Sequence, residues 1–66
     1  MTPLLAERID YGRTIRDRAN CLIEAHGLSA EAEALRAGQD PELAEAERTF
    51  WQAVAARVAR QQRAGH

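Results

Sequence analysis

Sixty-six residues, 29% of them charged and with a net charge of −1, hold one domain at most and leave no room for a separate substrate domain. The single cysteine, Cys21, excludes an intrachain disulfide and a cysteine-rich zinc site, and reads as a small hydrophobe in a reducing compartment. Apolar runs of at most four residues exclude a membrane-spanning helix and a signal peptide, so the chain is expected in the cytoplasm.

The first helix is expected from about residue 3 to 26. Thr2 is a suitable N-cap, and Pro3 stands at the first helical position, where its missing N–H costs nothing. At 100° per residue, Leu4, Leu5, Ile9, Tyr11, Gly12, Ile15, Ala19, Leu22, Ile23 and His26 share one arc of about 160°, which is one apolar face. Glu7, Asp10, Arg13, Thr14, Asp17 and Glu24 lie opposite. Gly27 is expected to end the helix in the left-handed conformation. Gly12, inside the helix and on its apolar face, is read as a point of close approach by a neighbouring helix. His26 is read as a cation placed favourably at the helix C-terminus, since no second histidine is near enough in sequence to build a metal site.

A short second helix is expected over 30–37, with Ser29 as N-cap, Glu31 and Glu33 in its first turn and Gly38 as its stop. Leu28, Ala32 and Leu35 give it a narrow apolar edge. So short a helix is unstable alone and must rest on the others. The third helix is expected over 41–63, opened by Asp40-Pro41-Glu42 as N-cap, proline at the first position and acid at the second. Leu43, Phe50, Trp51, Val54 and Val58 form its stripe, and Ala53, Ala55, Ala56 and Ala59 keep the rest slim.

These elements define an all-α fold: one small helical domain over 1–66, a helical hairpin of two long helices joined by a short one, or a three-helix bundle. The pattern leaves open whether the short helix is only a connector or packs alongside. A core this small usually needs a staple. With disulfide and zinc excluded, oligomerisation, most simply a homodimer, or another protein chain is expected to complete it. The partner surface is assigned to Leu5, Ile9, Tyr11, Gly12, Ile15, Phe50, Trp51, Val54 and Val58. Arg8 and Glu47 lie on the midlines of their apolar stripes, and are assigned to a buried or inter-subunit ion pair.

No pattern for catalysis or for a cofactor stands out. The four glycines do not make a nucleotide-binding loop, and Arg8 and His26 are 18 residues apart, about 27 Å along one helix. Charge is distributed unevenly: residues 1–20 carry +1, 21–47 carry −6 and 48–66 carry +4. That division suits self-association or docking better than nucleic acid, whose readers present a net basic face. A small DNA-binding or antitoxin-like regulator is the alternative, with helix–Gly-Leu-Ser–helix as its motif. Glu31 and Glu33 on the would-be recognition helix oppose it through phosphate repulsion.

His26-Gly27 at the end of the first helix, the turn Gly38-Gln39-Asp40 and the pair Phe50-Trp51 inside the last helix resemble the pattern of a group of short uncharacterised alphaproteobacterial proteins. The resemblance covers about residues 16–60 and rests on helix punctuation. It implies a helical fold and brings no activity with it. The expected function is that of a non-catalytic protein–protein interaction module, a small homo-oligomer or an accessory subunit of a larger assembly, with no enzyme activity, cofactor, metal or membrane association.

Overall fold

A computed structural model describes the backbone of residues 4–64 and the side chains of residues 10–64. Thr2 and Pro3, assigned above to the first helix cap, lie outside the described residues. The described chain is helical, with no strand among its residues: α1 (Leu4–His26), a 3-10 turn (Gly27–Ser29), α2 (Ala30–Ala37) and α3 (Glu45–Ala64).

α1 ends where expected. Gly27 has φ of +58°, a conformation that a Cβ would strain and a glycine adopts freely. The chain does not then begin a new capped helix. The Ser29 side chain makes no capping bond, and the backbone N–H of Ala30 donates to the Gly27 carbonyl instead. One tight turn therefore swings α1 into α2 without a side-chain cap on α2.

α2 packs by its small residues, not by its leucines. Ala30 and Ala34 are fully buried, and Gly38, one further turn along, is buried as well. A Cβ built on Gly38 would lie 3.0 Å from the Trp51 Cβ. Residues at i, i+4 and i+8 share one helix face, and here that face has almost no side chain, so α2 settles against α3 at close range. Leu28 and Leu35, expected to form the apolar edge, are left 88% and 45% exposed. The close-packing glycine is thus Gly38. At Gly12 a built Cβ would meet nothing within 4 Å, which corrects its assignment.

α3 starts four residues later than the Asp-Pro signal implied. The Asp40 carboxylate accepts from the Glu42 N–H at 2.9 Å, and the Leu43 N–H donates to the Asp40 carbonyl at 3.2 Å. Asp40-Pro41-Glu42-Leu43 is therefore a β-turn, with aspartate first and proline second as such turns favour. The same dipeptide serves a helix start or a turn. Here Glu47 marks the start: its Oε1 accepts from the Ala44 N–H at 3.1 Å, half of a capping box. Arg48 ties the turn to the helix by donating to the carbonyls of Asp40 and Leu43 at 3.2 and 3.4 Å.

The short helix is more than a connector. Tyr11 meets Phe50 near the start of α3, while the Gln62 amide donates at 2.7 Å to the carbonyl of Gly27, just past the end of α1. α1 and α3 thus run in the same sense, and α2 carries the chain back between them. This is the three-helix arrangement of the two left open by the sequence. All three helices feed one core: Ala19 from α1, Ala30 and Ala34 from α2, and Val54, Ala55 and Val58 from α3. Ile15, Leu22, Ile23, Phe50 and Trp51 are partly buried around it. The only fully buried side chains larger than alanine, among the described residues, are two valines. The molecule is long and shallow, 42 × 30 × 16 Å.

Candidate interaction surface

The residues assigned to a partner surface separate into three groups. Val54 and Val58 are inside the chain's own core, with no accessible surface. That corrects their assignment, and the reason is α2, which the stripe of α3 faces once the short helix folds back. Ile15, Phe50 and Trp51 are partly buried against that core. Tyr11 and Gly12 stay exposed. The side chains of Leu5 and Ile9 lie outside the described residues.

Tyr11, Phe50 and Trp51 form a run of aromatic rings. Tyr11 and Phe50 meet edge to face with centroids 6.2 Å apart, and Phe50 and Trp51 do the same at 5.5 Å. Such geometry sets the positive rim of one ring on the negative face of the next. The Arg18 guanidinium stands 6.0 Å from the Trp51 ring centroid, at the limit of a cation–π contact. The run begins in solvent at Tyr11, which is 45% exposed, and ends at Trp51 beside Gly38. It joins α1, α2 and α3 while holding one aromatic face open along the α1–α3 edge.

The Arg8–Glu47 pair is only half described, since the Arg8 side chain lies outside the described residues. Glu47 itself is exposed and holds the Ala44 N–H, so its place on the stripe reflects capping at the helix start and not a buried charge. His26 is exposed in the last turn of α1. Cys21, expected among apolar neighbours, is exposed. It lines a shallow cleft of about 190 Å³ with Thr14, Asp17 and Arg18 on the outer side of α1. A second cleft of about 120 Å³ lies between α2 and α3, lined by Ala34, Leu35, Gly38, Gln39 and Gln52. Neither holds a convergent set of catalytic groups, and no group of three or more His, Cys, Asp or Glu among the described residues is placed to hold a metal.

Arg48 and Gln62 were not singled out from the sequence, and Gly38 was read there only as a helix stop. Gly38 lets α2 and α3 touch, and the spacing Ala30-Ala34-Gly38 was its signal. Arg48 binds carbonyls five and eight residues back, across the turn, and Gln62 binds one 35 residues back, which helical periodicity does not encode. Arg57 Nε and Gln61 Oε1, on successive turns of α3, are buried without a hydrogen-bond partner. That position is costly, since such atoms lose water without replacement.

No helix among the described residues is long and apolar enough to cross a membrane. Comparison with models of protein families, with curated proteins and with solved structures finds no match to this chain.

Proposed function

We propose that this chain is a non-catalytic protein–protein interaction module that docks through the α1–α3 edge around Tyr11 and Phe50. The observation that carries this reading is the half-exposed aromatic run beside a core of alanine and valine. Aromatic residues contribute most to interfaces when they stand rigid and partly exposed, and ring-to-ring packing holds these before any partner arrives. The chain's own core is small for a domain of this length, so further burial at the edge stabilises the fold and the complex together.

The experiment is capture from cells of the source organism with tagged chain, comparing the native sequence with Tyr11→Lys. Tyr11 is on the surface, so the variant retains its helices, as far-UV circular dichroism will verify. The expected result is a protein, the chain's own untagged copy included, retained by the native chain and lost with Tyr11→Lys. Equal capture by both would sink the reading.

A further inference from the structure

The aromatic edge carries a cation that the fold leaves without a counter-ion. Arg57 follows Phe50 by two turns of α3, about 20° round the helix and roughly 10 Å along it. Ala53 stands between them in sequence, and all three residues are half-buried. Phe50 touches Tyr11, so Arg57 continues the edge towards the C-terminal end of α3. A long side chain on a helix leans back over the preceding turn, which carries the guanidinium towards Ala53 and the rings. A second cation, the exposed Arg18, stands 6.0 Å from the Trp51 ring centroid.

Among the described side chains, no carboxylate answers these cations. After Glu47, α3 has four arginines and no acid, and Glu47 itself accepts from the Ala44 N–H. On α1, Asp10, Asp17 and Glu24 are exposed and lie about 100–140° round the helix from Tyr11. Arg57 makes no hydrogen bond or ion pair with another described residue, and its Nε is buried without an acceptor. Gln61 Oε1, one turn on, is buried and unpartnered too. A bond between the two would satisfy both atoms and still leave the charge unpaired. A guanidinium drawn partly out of water without an anion is held at a cost. A carboxylate laid against it forms short, charge-assisted hydrogen bonds, two at once in the best geometry.

We propose that the occupant of this edge is an acidic amphipathic segment of another protein, with a large apolar side chain on Tyr11 and Phe50 and a carboxylate on Arg57. This rests on the docking reading above. Aromatic rings and arginine are the groups that contribute most to interfaces, and here they share one edge that has no acid of its own. A second copy docked edge to edge would bring no acid to either Arg57. A nucleic acid would meet the charge of −6 over residues 21–47, which repels a polyanion along its length. A single carboxylate meets Arg57 alone.

Selection of displayed random peptides on the immobilised chain tests this. The native chain should enrich peptides with Asp or Glu one to two helical turns from a large apolar residue, and Arg57→Glu should enrich Lys or Arg there instead. One selected peptide is then made with its carboxylate and with the matching amide, and binding is read from the fluorescence of Trp51. The amide should bind the native chain about tenfold more weakly, and the Arg57→Gln chain should show no such difference. That comparison holds even where Arg57→Glu does not fold, once circular dichroism shows Arg57→Gln to be helical. An equal loss on both chains overturns the proposal, as does a random single-stranded oligonucleotide whose binding is abolished by Arg57→Gln. Selected peptides that depend on Tyr11 and hold no acid overturn the acidic partner and leave the docking reading standing.

Discussion

Gly12 and Gly38 show how a single hydrogen in place of a methyl group acts according to its surroundings. At Gly12 the space around a Cβ is open, so Gly12→Ala should stabilise the chain by about 0.5–1 kcal/mol through helix propensity alone. At Gly38 a Cβ meets the Cβ of Trp51 at 3.0 Å, and that atom is held by the backbone of α3 and cannot swing away. Gly38→Ala should therefore cost about 1–2 kcal/mol net, overpacking outweighing the gain in backbone entropy. Urea denaturation of the two variants beside the native chain reads both signs, and a stabilising Gly38→Ala would contradict the close packing of α2 on α3. Sequence alone ranked these two glycines the other way. Gly12 stands on a wide apolar arc, whereas Gly38 looks like an ordinary stop. The difference lies in which helix approaches, which is a tertiary fact.

At the scale of the element, α3 begins where its capping hydrogen bond is made. Glu47→Ala removes the acceptor of the Ala44 N–H and should cost about 0.5–1 kcal/mol, with fraying of the first turn. Asp40→Ala removes the acceptor for Glu42 N–H in the turn, so it should loosen residues 40–43 and leave the first turn of α3 intact. Amide hydrogen exchange distinguishes the two. If Asp40→Ala speeds exchange in the first turn of α3 as much as Glu47→Ala does, the helix start is misassigned. The extent of α1 was legible because a left-handed glycine has one common use at a helix end. The start of α3 was not, because Asp-Pro opens turns and helices equally well and only the later acceptor, Glu47, breaks the tie. α2 was legible as a helix, but its buried side was not. Leucines marked the expected edge, while the residues α2 buries are Ala30 and Ala34, with Gly38 close against Trp51.

For the whole molecule, so little volume is buried that each piece of it counts. Val54 and Val58 are the largest fully buried side chains. Val58→Ala should cost about 2 kcal/mol, from lost burial and the cavity left behind. Leu28→Ser, at a residue 88% exposed, should change stability by less than about 0.5 kcal/mol. Thermal melts of the two variants should separate clearly, and similar losses for both would mean that Leu28 is covered.

The sequence by itself determined the helices and the absence of a strand pattern, because helical periodicity, proline, glycine and caps are local signals whose physics spans four or five residues. It also marked Tyr11, Phe50 and Trp51 as aromatic positions to watch. Tertiary structure decided the rest: that α1 and α3 run in the same sense, and that Val54 and Val58 belong to the chain's own core. It also decided that Tyr11 and Phe50 meet at an open edge. Each of these depends on how α2 folds back, and that path is set by the closest approach two helix faces allow. The small residues that permit it leave little mark in the hydrophobic pattern from which helices are read.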